Sequence, residues 1–267
     1  MRKTTEEKLA GSLTAETTDL LPFLPYLLQD FWELGSDPYA MANLINRHVT
    51  VSENTRVLDL ACGKGAVSVA VAEKLSVQVK GIDLIPEFIE VAGQKAAEHG
   101  VFDLCDFEVG DINEAVQALR GFDVVILGAV GDVLGNPHET LRKLAQTVKT
   151  GGYVLIDEAY LKDGGKQEDM GYNNYEYLTE NEWAALFAES GLTLVETIFA
   201  SDMESESSDS DSGMAFITQR ANELIEKHPD KKAMFEGYIR SQQSEYDDLE
   251  SNLEAVLWLL RVSGGNE

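Results

Sequence analysis

Asp59 sits just ahead of two glycines in the run VLDLACGKGAV (57–67), and two further acids, Asp83 in GIDL and Asp111 in GDI, end later apolar runs. An acid, a turn with glycines at 63 and 65, and a second acid downstream can serve two chemistries. Glycines there let the backbone turn tightly and expose its N–H groups beside the next helix, with no Cβ to keep a ligand away. A dinucleotide site uses such a turn for a pyrophosphate, in the pattern G-x-G-x-x-G with an acid about 20 residues on. Gly63-x-Gly65-x-x-Ser68 lacks the third glycine, yet Asp83 has roughly that offset, so spacing alone leaves a nicotinamide cofactor open. Asp59 discriminates, because an acid pointing into the same pocket repels a pyrophosphate and suits a cationic amine or sulfonium. Lys64 is the one base nearby that could neutralise phosphate.

With these motifs the chain resembles the class I S-adenosylmethionine-dependent methyltransferases over roughly residues 50 to 200. VLDLACGKG (57–65) is similar to their first motif and GIDL (81–84) to the second. GDI (110–112) is similar to the third, and FDVVILGAV (122–130) with KTGGYVLIDE (149–158) to the strands that follow. The resemblance implies S-adenosylmethionine as cofactor and a doubly wound, mostly parallel α/β sheet. It also implies methyl transfer to a small-molecule acceptor, with release of S-adenosylhomocysteine. Asp83 would then accept from both ribose hydroxyls, a charge-assisted pairing worth about 1.5–3 kcal/mol per bond. Asp111 would accept from the adenine amino group, with Ile112 and Leu84 on either side of the ring. Asp59 would orient the methionine ammonium, with Ala61, Cys62, Gly63 and Gly65 lining the turn and carbonyls near Gly128 and Ala129 assisting. Cys62 reads as a small residue flanking a turn rather than a catalytic thiol. Two other classes stay open at this point: an NAD(P)-dependent oxidoreductase and a nucleoside-binding module without turnover.

A sulfonium methyl is already activated, so alignment of the nucleophile does most of the work, worth roughly 7–11 kcal/mol. A dedicated base is needed only where the nucleophile holds its proton. Catalytic candidates on the acceptor side follow the fourth and fifth strands: Asp132, His138 as that base, and Glu158 to steer a cationic or amine acceptor. Residues expected to meet the acceptor are Tyr26, Trp32, Tyr39, Tyr160 and Tyr175; the segments DLLPFLPYLLQDFWELG (19–35) and YNNYEY (172–177) are expected to roof the site. Aromatic rings there add cation–π attraction to a sulfonium. No CxxC or HxxxH spacing points to a metal.

Strand-like runs that would position these residues lie at Arg56–Leu60, Val77–Leu84, Leu104–Val109, Phe122–Ala129 and Tyr153–Glu158, with Leu192–Phe199 further on. Between them, Val67, Ala70, Val71 and Leu75 recur on one helical face. Pro86 opens the next helix and Gly100 ends it; Asn136-Pro137 opens another, which Gly151-Gly152 is expected to close. Thr179-x-x-Glu182 has the form of a capping box. Residues from about Ala15 to His48 read as helical, and Asp37-Pro38 as a helix start. Ile217, Ala221, Leu224 and Ile225 mark a late helix, while Ala255–Val262 fits either a strand or a helix end. This alternation implies a parallel sheet covered on both faces, with ligands beyond the carboxyl ends of the strands. The expected organisation is an N-terminal helical lid (1–50), a cofactor domain (51–200 plus roughly 254–263), and an acidic loop with a helical cap (201–253).

The 267 residues suffice for one large core plus a modest satellite. A net charge of −26, from 47 acids against 21 bases, argues against nucleic acid or an anionic membrane as partner. The stretch SDMESESSDSDS (201–212) holds five acids and six serines and reads as a solvated connector. Two cysteines suggest no disulfide framework, and the polar N-terminal run MRKTTEEKL lacks an apolar signal core, so a cytoplasmic location is expected. Monomer and homodimer both remain open.

Overall fold

The computed structural model describes residues 3–172, 176–203 and 210–263. In chain order the helices are α1 (Thr5–Ser12), α2 (Leu24–Leu27), α3 (Pro38–His48), α4 (Ala66–Leu75) and α5 (Pro86–Glu98). They continue with α6 (Ile112–Ala118), α7 (Pro137–Thr147), α8 (Glu180–Glu189), α9 (Ser210–Lys227) and α10 (Lys232–Ser251). The strands are β1 (Arg56–Leu60), β2 (Gln78–Asp83), β3 (Cys105–Val109), β4 (Phe122–Gly128), β5 (Val148–Leu161), β6 (Leu192–Phe199) and β7 (Leu253–Val262).

All seven strands form one sheet in the order β3-β2-β1-β4-β5-β7-β6. The pairs β3/β2, β2/β1, β1/β4 and β4/β5 are parallel, and β7 runs antiparallel to β6. The expected doubly wound, mostly parallel architecture is therefore present. Strand order reverses between β1 and β4, the point where such sheets open a crevice for ligands.

By contacts the chain divides into two compact units. One comprises Trp32–Glu158, Glu180–Glu204 and Ala255–Glu267 and carries most of the sheet. Its core joins Met41, Leu44 and Ile45 of α3, Val69 and Val71 of α4, and Val57, Val124, Ile126, Leu155, Leu257 and Leu259 of the strands. Helix α3 thus packs on the sheet, whereas the sequence placed it with a lid ending at residue 50. The other unit comprises Met1–Phe31, Ala159–Thr179 and Ser205–Glu254. There Phe23 meets Phe235 edge-on at 5.1 Å, Arg220 forks onto Asp30 at 2.6 and 2.8 Å, and Asp248 accepts the N–H groups of Gly171 and Tyr172 at 3.0 and 2.7 Å.

The structure differs from the expected elements in four places. The run 15–48 is not one helical stretch. Pro22 lies in a 3-10 turn (Thr18–Phe23), Pro25 opens the short α2, and an irregular segment precedes α3. Gly151-Gly152 does not close α7, which ends at Thr147. It falls inside β5, where the register against β4 shifts and Gly151 takes φ +79°. The ambiguous C-terminal run is a strand, because Val256–Leu260 is buried without a break and pairs along β6. Of the acidic stretch 201–212, Ser201 and Asp202 belong to a 3-10 turn and Ser210 begins α9; residues 204–209 lie outside the described residues.

Candidate cofactor site at the strand ends

Three acids project from one face of the sheet at its carboxyl edge. Asp59 is in register with Gly81 of β2 and Ile126 of β4, Ile126 with Leu155 of β5, and Gly128 with Asp157. Side chains two apart on a strand share a face, so Asp83, Asp59 and Asp157 line up across β2, β1 and β5, with Gly128 of β4 between the last two. Three strand spacings separate the outer pair, about 14 Å. That span accommodates an extended nucleoside with a tail.

Asp83 is 6% exposed and its two oxygens accept the backbone N–H groups of Gly63 and Ile85, both at 2.9 Å. Burial raises its carboxyl above the usual range against those bonds. Each oxygen keeps a further lone pair, the capacity a ribose diol requires. Asp59 is 3% exposed and accepts the Ser68 hydroxyl at 2.6 Å. Burial, opposed by Ser68 and reinforced by the Asp83 charge, raises it to about 7. Burial likewise raises Asp157 to about 6, with the Ser36 hydroxyl opposing and the Asp37 charge reinforcing. Glu33 is raised by burial and by Asp37. Among the described residues no cation is a cause of any of these four shifts, and all four carboxyls hold their protons more tightly than usual.

The glycine turn corrects the expectation that it offers free amides. The Gly63 N–H goes to Asp83 and the Gly65 N–H to the Cys62 carbonyl at 2.9 Å. Gly65, at φ +78°, is needed for internal closeness: a Cβ there would stand 2.8 Å from Ala92 Cβ and 3.0 Å from Phe107 Cζ. Trp32 pins the turn from outside by donating Nε1–H to the Lys64 carbonyl at 3.0 Å. The Lys64 ammonium lies over the Phe88 ring, 5.4 Å from its centre. A turn whose two glycine amides are spent internally is a poor pyrophosphate cradle. It forms instead a smooth wall beside a row of carboxylates.

Two alanines, Ala61 after β1 and Ala129 after β4, hold left-handed backbone at φ 56° and 53°. Non-glycine residues there carry strain, and such positions cluster at functional sites. Residue type gave no sign of this. Cys62 donates no chemistry: burial pushes its thiol well above the usual value, and it fills the space beside Gly81, where a Cβ would stand 2.9 Å from Sγ. Asp111 serves as the N-cap of α6, its Oδ1 accepting the Asn113 N–H at 2.7 Å and the Asn113 side-chain amide at 3.1 Å; Ile112 is buried behind it and Leu84 is half-buried at the end of β2.

The acceptor-side residues are divided between the two units. His138 is exposed in the first turn of α7, and Asp132 lies in a 3-10 turn (Gly131–Leu134). Glu158 lies on β5 next to Asp157 and so on the opposite face of the strand. Tyr39 is 58% exposed. Tyr26 donates to Glu223 and has the Lys227 ammonium over its ring at 4.7 Å, which ties it into the packing of its own unit. Trp32 stacks near His99 at 5.0 Å, Tyr160 is half-buried on β5, and Tyr175 lies outside the described residues. Sequence reasoning missed Asp157 and Ser36. Strand alternation from Tyr153 and Leu155 would have placed Asp157, and not Glu158, on the face shared with Asp59.

The family model of a methyltransferase domain matches residues 51–191, more than half of the chain. This chain belongs to the methyltransferase domain family. Among curated relatives, ajmaline N-methyltransferase of Rauvolfia serpentina is 29% identical over 100 residues, covering 38% of this chain and 34% of the relative. Ubiquinone biosynthesis O-methyltransferase of Xanthomonas axonopodis pv. citri is 33% identical over 102 residues, covering 38% and 41%. The chain thus spans well under half the length of these relatives. Among solved structures, a SAM-dependent methyltransferase from Geobacter sulfurreducens in complex with S-adenosyl-L-homocysteine superposes with a TM-score of 0.71 at 22% identity, over 90% of this chain and 97% of that one. The 4+2 cyclase SpnF superposes with a TM-score of 0.68 at 15% identity, over 98% of each chain. At these identities the superpositions establish the fold of this methyltransferase-family chain. Neither the family model nor these relatives support a nicotinamide oxidoreductase.

Proposed function

We propose that this chain transfers a methyl group from S-adenosylmethionine to a small-molecule acceptor and releases S-adenosylhomocysteine. The observation that carries the reading is the acidic field of Asp83 and Asp59, both buried, and the half-buried Asp157 on one sheet face, whose carboxyls no described cation lowers. That field repels a pyrophosphate and favours a nucleoside bearing positive charge. Family membership and the S-adenosylhomocysteine bound by a structural neighbour support the same reading.

Each residue has a definite task in it. Asp83, fixed by two backbone amides, accepts from the ribose diol. Ile112 and Leu84 offer apolar surface to the adenine, and Asp111 at the start of α6 accepts from its amino group. Asp59, steadied by Ser68, supplies negative charge beneath the amino-acid tail. Gly128, lacking a side chain, leaves room for the Ser36 hydroxyl, which stands 2.5 Å from where a Cβ would be. When bound, the sulfonium supplies a methyl whose carbon–sulfur bond breaks with its electron pair left on sulfur, while the acceptor's lone pair forms the new bond. The chain then has to orient the acceptor and exclude water, in line with the 10²-fold sensitivity of such reactions to about 1 Å of misplacement.

A small acceptor accords with the excess of 47 acids over 21 bases, which disfavours a nucleic-acid substrate. The relatives named above are an ajmaline N-methyltransferase and a ubiquinone biosynthesis O-methyltransferase. Incubation with labelled S-adenosylmethionine and a metabolite extract, followed by identification of the labelled product, tests the reading. Tight S-adenosylhomocysteine binding without any labelled product would turn it into a cofactor-binding module or, as in SpnF, a cyclase.

A further inference from the structure

Trp32 stands in the irregular segment ahead of α3, and its Nε1–H meets the Lys64 carbonyl in the middle of the glycine turn, at 3.0 Å. An indole nitrogen is a donor only, carried at the edge of a broad apolar ring, so one side chain can both pack and hold a carbonyl in place. Helix α5 fixes that ring. Lys95 and His99 lie one helical turn apart, with the Lys95 ammonium 5.3 Å from the Trp32 ring centre and the His99 ring 5.0 Å away, tilted by 35°. Two residues beyond Trp32, Leu34 Cδ1 stands 3.2 Å from where a Cβ on Gly63 would be. Ala92 of α5 closes on Gly65, so the turn is held at all three of its residues.

What the turn holds in its own right is Asp83. Two backbone amides orient that buried carboxylate, and they differ in kind. The Ile85 N–H lies two residues away in the same loop and travels with Asp83. The Gly63 N–H reaches across from the end of β1, so it alone ties the carboxylate to the neighbouring strand's turn. Its position depends on the Lys64 carbonyl one residue further along, which Trp32 holds. We infer that Trp32 is a positioning residue for cofactor binding: it keeps the Gly63 N–H on Asp83, and thereby keeps the carboxylate turned toward the ribose. The inference rests on the methyltransferase reading above, in which Asp83 accepts from the ribose diol. Trp32 acts through the turn, in place of the acceptor contact expected of it from the sequence.

The test is a double-mutant cycle on S-adenosylhomocysteine affinity, read by calorimetric titration of the full chain. Trp32→Phe keeps an aromatic ring beside Lys95 and His99 and removes the N–H. It is expected to weaken binding about fivefold, the net effect of one hydrogen bond. In an Asp83→Asn background, where the carboxylate it serves is gone, the same change is expected to weaken binding by less than about twofold. A tryptophan that only stabilises the fold would act by the same factor in both backgrounds. Equal factors would therefore overturn the inference, as would undiminished affinity in the single variant. Melting curves without ligand establish that the variants are folded. A second measurement leaves Trp32 in place: the three tryptophans give three indole N–H resonances in an isotopically labelled chain, and Asp83→Asn is expected to move that of Trp32. A Trp32 resonance that stays put would also overturn the coupling. Failure of the underlying reading looks different. A parent that binds no S-adenosylhomocysteine sinks the methyltransferase reading, and an Asp83→Asn variant as tight as the parent sinks the ribose assignment; the inference falls with either.

Discussion

Asp83→Ala strips the acceptor from two backbone N–H groups at once, those of Gly63 and Ile85. Both bonds are buried, and each orphaned donor costs about 1–3 kcal/mol, so the pair costs roughly 2–6 kcal/mol. Loss of a carboxylate that burial already disfavours returns part of this, which places the expectation near the middle of that range. In a chain of this length each kcal/mol moves the melting midpoint by about 2–4 °C, giving a fall on the order of 10 °C without ligand. Asp83→Asn keeps one carbonyl acceptor and should lose about half as much. Differential scanning calorimetry on the two variants separates this structural role from recognition. Titration of the asparagine variant with S-adenosylhomocysteine then reads the ribose contact, with at least a tenfold loss expected, about 1.4 kcal/mol. An alanine variant that melts with the parent would refute the claim that Asp83 organises the turn. An asparagine variant of undiminished affinity would remove it from the ribose.

Three further outcomes are expected. The Asp59 carboxyl stands near 7 when folded, against about 4 in an unfolded chain, so between those values the folded state holds a proton the unfolded state has released. Its contribution to stability is complete below about pH 4 and is lost as pH rises toward 7. Melting temperatures of Asp59→Asn should accordingly fall less steeply than the parent's over that window, and parallel profiles would contradict the assignment. Gly65→Ala combines a left-handed backbone with contacts of 2.8 Å to Ala92 and 3.0 Å to Phe107, and should cost about 2–4 kcal/mol in a urea titration. Ala129→Gly relieves strain at φ 53° and should stabilise by about 0.5–1 kcal/mol, a rise of a few degrees in a calorimetric scan.

Much of the sheet was legible because its strands are short β-branched runs punctuated by glycine and proline. Arg56–Leu60 and Leu192–Phe199 coincide with the expected bounds, and Pro86 and Pro137 open helices where expected. Local chemistry also announced Asp59, Asp83 and the glycine turn. What stayed hidden depends on register and on loop conformation. Alternation along β5 separates Asp157 from Glu158, but the place of Asp157 beside Gly128 is set by pairing with β4, a fact carried by the partner strand. The burial of Ser36 and the pinning of the turn by Trp32 depend on an irregular segment that the sequence rendered as helix. The roles of Gly63 and Gly65 were misjudged for a related reason: the groups that consume their amides, Asp83 and the Cys62 carbonyl, become partners only once the turn has folded.

Phe199 at the end of β6 and Val256 near the start of β7 are partners across one rung of the antiparallel ladder. Everything between them departs from and rejoins the sheet at a single doorway. Lengthening a flexible connector within that excursion costs only the entropy of closing a loop, which grows logarithmically, by about 0.6 kcal/mol per doubling of the connector. The ladder between β6 and β7 fixes where the chain leaves and re-enters, so a lineage of such proteins is at liberty to vary a connector there while the pairing of these two strands stands still.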